Sequence, residues 1–363
     1  MSGSYLFVTW DGSGNLMPTL AAALSLHERG HSVRFVGHAN QHERIAFPFR
    51  AWETVPNLYE RAPVPPDDVW WDELFLGVAA GRELDVQLQR ERVDVAVIDC
   101  LLWGALAAVE RARVPAAVFV HTIYGRRFAA EDRPHRRERL NSTRALFGLG
   151  PVVSLVDAWH RLQLVLVASA RCFDRPPEPL PENTVYCGPL RLPTQLQSDL
   201  PWQPDVVVSF STASVLVPRL TQRVLEALAS LPLRPVVSSN VPGLAPAGNT
   251  VVRDWIAHDL VLPGARLVIT HGGHGSVLAA LLHGVPVLCL PLVADQPFVS
   301  QRVVDHGAGI ALPPSASVSE IRAAVEALLW EERFTAAARV LAEEIARELA
   351  ADAHVKALEA LLP

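Results

Sequence analysis

The strongest constraint on this chain is its rhythm. Short apolar, strand-like runs alternate with segments of helical periodicity along most of its 363 residues. Such alternation builds βα units around parallel sheets. Residues 5–10, 32–37, 93–99 and 116–121 read as strands of a first sheet, with helices at about 18–28 and 102–113. The pattern restarts in the second half with strands at 206–210, 234–237, 250–253, 267–270 and 285–290. Helices are expected there near 215–230, 276–283, 298–306 and 318–330. Two stretches break the rhythm and read as insertions over the first sheet: 48–72, rich in proline, aspartate and tryptophan, and 124–149, charged and helical. Eight prolines in 176–204 mark the passage between the halves. The expectation is an α/β protein of two doubly wound, Rossmann-like domains facing a central cleft. The first domain covers 1–190, a linker 191–204 and the second domain 205–345, with a last helix in 346–363 packing back toward the first domain.

Composition removes several alternatives. With 50% hydrophobic and 19% charged residues the chain can build substantial cores and is not disordered. A net charge of −6, without a dense basic stretch, argues against nucleic acid as partner. Cys100, Cys172, Cys187 and Cys289 show no CxxC spacing. They read as small buried hydrophobes of a reducing compartment, not as a zinc or disulfide frame. The N-terminus lacks the plan of a signal peptide, and no apolar run reaches the roughly 18 residues of a membrane span. A cytoplasmic protein without a membrane partner is expected.

Two glycine-rich loops carry the chemistry. In the first, Gly12 and Gly14 begin a dinucleotide-like phrase, but its third glycine position is Met17 and no acid ends the second strand. Asn15 at the helix mouth and Pro18 in the first turn instead suit a capped helix start aimed at a ligand. Strand ends at Asp99 and His121 lie where parallel sheets bind ligands. In the second loop, Thr270-His271-Gly272-Gly273-His274-Gly275-Ser276 follows a strand and opens a helix. That helix end offers unpaired N–H groups and the positive end of a dipole to a diphosphate. His271 and Ser276 add side-chain hydrogen bonds, and Gly273 and Gly275 allow close approach. Asp295 and Gln296 stand together at the next strand end, suited to vicinal hydroxyls. Trp255 offers an indole for stacking on a nucleobase, and Ser211 and Thr212 form a second possible phosphate turn.

The run from Trp255 to Gln296, with the glycine-rich first loop and the phrase Cys187-Gly188-Pro189, resembles the family 1 glycosyltransferases of GT-B fold. The closest likeness is to their macrolide-type bacterial branch, related to the UDP-glucuronosyl and UDP-glucosyl enzymes. The resemblance implies an inverting transfer from a nucleotide sugar to a small natural-product aglycone. It also implies that Trp255 stacks on the base with His258 beside it. His271 and Ser276 would then hold the diphosphate, and Asp295 and Gln296 the sugar. No metal or other cofactor is expected, and a homodimer is the one protein assembly allowed for.

Three features depart from or extend that pattern. The family's usual base is a histidine in Gly-His-x-x-Pro; here the phrase is Gly14-Asn15-Leu16-Met17-Pro18, while the orienting aspartate matches Asp99. An amide takes no proton at neutral pH. Asp99, Asp11 or His121 is left as base, or the acceptor is reactive enough to need little help, as in a C-glycosyltransferase, or the chain is a catalytically weak accessory homologue. At Ala279, plant relatives carry a glutamate that binds the ribose, which points to a dTDP-deoxysugar over a UDP-sugar. Trp70, Trp71 and Phe75, with Trp52, either line a pocket for a planar aglycone or plug a core.

Overall fold

A computed structural model describes the chain except for residues 1, 13, 62, 64, 193–199, 211–216, 240, 242, 245–247, 350 and 351. Two compact units result. One comprises Met1–Ala170, Arg175–Leu192 and Leu349–Pro363; the other comprises Arg171–Asp174 and Pro193–Glu348.

In the first unit seven strands form a sheet: β1 (Ser4–Val8), β2 (Ser32–Gly37), β3 (Phe49–Ala51), β4 (Val95–Asp99), β5 (Ala116–Val120), β6 (Leu164–Val167) and β7 (Thr184–Tyr186). Every pairing is parallel, in the order β3-β2-β1-β4-β5-β6-β7. All residues of β4 and β5 are buried, as expected where both faces of a parallel sheet are covered. The strand order reverses between β1 and β4. The carboxyl ends of those two strands therefore flank the crevice in which doubly wound sheets bind ligands. Asn15 follows β1 and Asp99 closes β4.

The second unit repeats the plan with β8 (Val206–Ser209), β9 (Pro235–Ser238), β10 (Val251–Arg253), β11 (Leu267–Thr270), β12 (Val287–Cys289) and β13 (Gly309–Ala311). Its order is β10-β9-β8-β11-β12-β13, again all parallel. Here the switch falls between β8 and β11, so Ser209 and the His271 loop flank it.

The structure corrects the reading of two proline-rich stretches. The 48–72 insertion contributes β3, and the 176–204 passage contributes β7. Both strands span three residues, too short for alternation to show. The charged stretch 124–149 folds as two helices, Gly125–Glu131 and Pro134–Leu146. The last helix, Ala353–Glu359, is part of the first unit. There Val355 and Leu358 share a core with Tyr5, Phe7 and Phe35, and Glu359 takes hydrogen bonds from Arg29 and His31. Among the described residues no helix is long and apolar enough to cross a membrane.

Helices Ala79–Arg90 and Trp103–Ala112 pack on one another through glycines. A Cβ on Gly104 would collide with the backbone carbonyl of Gly77, which cannot swing aside as a side chain does. Gly104→Ala is therefore expected to destabilise the fold by about 1–3 kcal/mol. Gly150→Ala, with no atom within 4 Å of the added carbon, should stay within about 0.5 kcal/mol of the wild type. Chemical denaturation of both variants checks this; equal stabilities would contradict the packing account.

Candidate active site

The centre of the first unit's crevice is Asp99, 2% exposed. A carboxylate so far from water needs donors, and three are present. The Leu101 backbone N–H donates to Oδ1 at 2.9 Å. Asn15 Nδ2 donates to Oδ2 at 3.0 Å, and His121 Nδ1 lies 3.1 Å from the same oxygen. Burial alone would push the Asp99 pKa up. The charge of His121 and the hydrogen bonds from His121, Leu101 and Asn15 outweigh it, so the carboxyl is held below its ordinary value. His121 is affected in the opposite sense. Burial, the largest single influence, lowers the imidazole's pKa, but Asp99 and Cys100 raise it further, to about 10. Cys100 Sγ lies 3.8 Å from His121 Nδ1, and burial pushes the thiol's pKa up.

Asn15 does not cap its helix, contrary to the sequence expectation. It makes no side-chain cap bond to the helix Leu16–Glu28. Its amide nitrogen turns inward to Thr9 Oγ1 (3.2 Å), Trp10 O (3.2 Å) and Asp99. Three acceptors around one nitrogen also fix which way the amide points. Asp11, the other acid considered as base, is committed elsewhere. Its carboxylate accepts from Asn40 and Asn57, and its backbone N–H donates to His38 Nδ1 at 2.9 Å. These bonds tie the glycine loop to the first insertion, and none of them is to Asn15, Asp99 or His121.

The aromatic residues divide. Trp70 is half-buried and meets Tyr59 (4.6 Å between ring centres), Trp10 (6.1 Å) and Phe75 (6.2 Å), and Trp10 meets Phe75 at 5.0 Å. Trp71 is a core residue: it packs on Trp103 at 5.5 Å, and the buried Arg136 guanidinium lies 3.9 Å over its ring. Trp52 is buried too, its indole N–H donating to Thr9 O. Trp10 and Tyr59 were missed in the sequence reading. The position of Trp10, directly after β1 and before the glycine loop, is the signal that could have found it.

In the second unit, Trp255 stands in the loop after β10 and is 58% exposed, an unusual state for a tryptophan. His258 opens the short helix His258–Val261 and places Nε2 3.3 Å from Ser209 Oγ at the end of β8. His271 is buried, and that burial lowers its pKa despite the Ser209 backbone and the Asp295 charge. The ring is thus a neutral hydrogen-bonding group. Gly272 has φ +80°, and a Cβ there would run into Ser300 Oγ and Gln296 O. Gly273 is the N-cap of the helix His274–Leu282, whose first turn contains Gly275 and Ser276; no atom lies within 4 Å of where a Gly275 side chain would begin. Asp295 stands at the N-cap position of the helix Gln296–Asp305 without a side-chain cap bond. Gln296 Oε1 is already used, accepting from the backbone N–H of Leu292 (2.8 Å) and Val293 (3.0 Å). Only its NH2 group remains to meet a ligand, so the pair is one acceptor, Asp295, and one donor. Ser211 and Thr212 lie outside the described residues.

Comparison with known proteins agrees with this fold. Residues 224–361 match the family described as "Erythromycin biosynthesis protein CIII-like, C-terminal domain". The 4'-demethylrebeccamycin synthase of Lentzea aerocolonigenes is 26% identical over 97% of this chain and 98% of its own. The TDP-daunosamine transferase of Streptomyces peucetius is 34% identical over 48% of this chain and 44% of its own. A solved calicheamicin glycosyltransferase superposes with a TM-score of 0.82 at 21% identity, covering 99% of this chain and 98% of that one. The fold is GT-B, and these likenesses support a family 1 glycosyltransferase of the bacterial natural-product branch.

Proposed function

We propose that the protein transfers a sugar, with inversion, from a dTDP-sugar to a small planar aromatic acceptor of natural-product type. The observation that carries this reading is the second unit's switch point. There a neutral buried His271 and the N-terminus of the helix His274–Leu282 stand with an exposed Trp255 and the Asp295–Gln296 pair. Each suits one part of a nucleotide sugar. Trp255 stacks on the base, with His258 at its edge. The helix N-terminus, His271 and Ser276 receive the diphosphate, and their dipoles stabilise the charge that grows as it leaves. Asp295 accepts hydrogen bonds from sugar hydroxyls, and the Gln296 amide donates one. These groups are sufficient to hold a diphosphate, so the reading assigns no metal or other cofactor.

The preference for dTDP over UDP rests on Ala279. It is buried in the helix His274–Leu282 and has no polar atom for a ribose hydroxyl. A 2′-deoxyribose loses nothing by that. The name of the Streptomyces peucetius relative, a TDP-daunosamine transferase, supports the same choice. In the first unit, exposed Tyr59 and half-buried Trp70 lie over the buried rings of Trp10 and Phe75, and this pair of accessible rings suits a flat aglycone. An acceptor oxygen attacks the anomeric carbon from the face opposite the diphosphate. The bond from that carbon to the diphosphate oxygen breaks, and its electron pair leaves with the diphosphate.

Two measurements check this. Incubation with a panel of dTDP- and UDP-sugars and hydroxylated aromatic acceptors, read by mass spectrometry, should yield product, with dTDP-sugars turned over faster than UDP-glucose. Equal or faster turnover of UDP-glucose would overturn the donor assignment. Nucleotide binding without product from any pairing would favour an accessory homologue. By calorimetry, Trp255→Ala should weaken dTDP binding by the equivalent of one lost base stack, about 1–3 kcal/mol; unchanged affinity would remove Trp255 from the site.

A further inference from the structure

We infer that the catalytic base has moved from the helix after β1 to the end of β5, and that His121 Nε2 takes the acceptor's proton. This rests on the transfer reading above and names the residue that makes it work.

The geometry comes from the pairing of β4 and β5. Asp99 stands opposite Phe119 in the register, which brings His121, just beyond β5, within reach of the carboxylate at the end of β4. The ring presents Nδ1 to Asp99 Oδ2 at 3.1 Å. A proton on Nδ1 is thereby fixed toward the carboxylate, and the free tautomer has its lone pair on Nε2. Nε2 makes no hydrogen bond among the described residues, while the side chain keeps 10% of its surface exposed. The pair is thus a base with one nitrogen anchored and the other available. Asn15 cannot fill this role. Its nitrogen is spent on three acceptors, and an amide oxygen does not hold a proton at neutral pH. Asn15 is a positioning residue that holds Asp99, and Asp99 in turn orients His121.

The titratable groups bearing on His121 from the elements around it are Asp99 and Cys100 at the end of β4. Arg127, from the helix Gly125–Glu131, bears on Cys100. The net result is a strongly basic imidazole, raised to about 10. A phenol has an acidity of about 10, so proton transfer from an aromatic hydroxyl to His121 is close to thermoneutral. In the step, the acceptor O–H bond breaks and its proton bonds to Nε2. The oxygen's electron pair forms the new bond to the anomeric carbon as the diphosphate departs. A base must be unprotonated to act, so the rate rises with pH up to the range in which His121 loses its proton.

The test is steady-state kinetics from pH 6 to 10 on the wild type, His121→Ala, His121→Gln and Asn15→Ala, with dTDP affinity measured for each. The glutamine variant retains a donor for Asp99 and guards against loss of the fold. Both His121 variants are expected to lose at least about 10²-fold in kcat, the usual worth of a general base. They should also lose the alkaline-rising limb while binding dTDP as the wild type does. Asn15→Ala should keep that limb. His121 variants within tenfold of the wild type, or a limb that survives in them, would overturn the assignment while leaving the transfer reading intact. A wild type inert toward every donor–acceptor pairing would instead defeat the transfer reading, and the base assignment with it.

Discussion

The first unit is organised around a single charge buried at the end of β4. Stripping a carboxylate of water costs several kcal/mol unless it is repaid with hydrogen bonds and an opposing charge. Asp99 receives all of these within 3.1 Å, from the Leu101 backbone, Asn15 and His121. The neighbouring residues take up their positions accordingly. Asn15 abandons the helix cap for which its residue type is suited. His121 is held by Nδ1, which leaves Nε2 without a hydrogen bond among the described residues. The donors come from the loop after β1, the end of β4 and the end of β5, so the carboxylate also ties together the three loops that flank the crevice.

On the proposed reading, the second unit faces a different electrostatic problem. A diphosphate carries more charge than any side chain, yet the protein is net negative. The helix end after β11 provides oriented N–H groups, and His271 provides a neutral hydrogen bond rather than a cation. Glycine is required at Gly272, where the backbone has positive φ and Ser300 and Gln296 leave no room for a Cβ. That close packing sets the loop on the helix Gln296–Asp305, and the same helix begins with the Asp295–Gln296 pair. On the proposed reading, the groups that meet sugar and diphosphate are thus parts of one packed structure.

Much of the fold was legible because its central strands are long apolar runs between turn residues. β2 and β11 have the bounds expected, and β1, β4 and β5 lie within one or two residues of theirs. β3 and β7 were not legible, since three residues among prolines carry no period. In the site, Asp99 and His121 could be singled out as polar residues ending apolar strands. That they touch depends on the β4–β5 register, which no local pattern contains. The orientation of Asn15 was hidden for the same reason, since Asp99 reaches it only when the sheet forms. The commitment of Gln296 Oε1 is local, to backbone N–H groups three and four residues earlier, and depends on the turn those residues adopt. Trp71 shows the converse: three aromatic residues close in sequence could line a pocket or plug a core, and Trp71, under Arg136, went to the core with Phe75.

The Asp99–His121 pair is the point on which the account turns, and it can be observed without substrate. Imidazole ¹H–¹⁵N NMR, with resonances assigned by a His121→Gln variant, follows the titration of that ring directly. The account predicts that His121 titrates far above 6.5, toward about 10, with the proton on Nδ1 in the neutral form, and that Asp99→Asn brings the value down sharply. A His121 that titrates at or below 6.5, or one indifferent to Asp99→Asn, would contradict it.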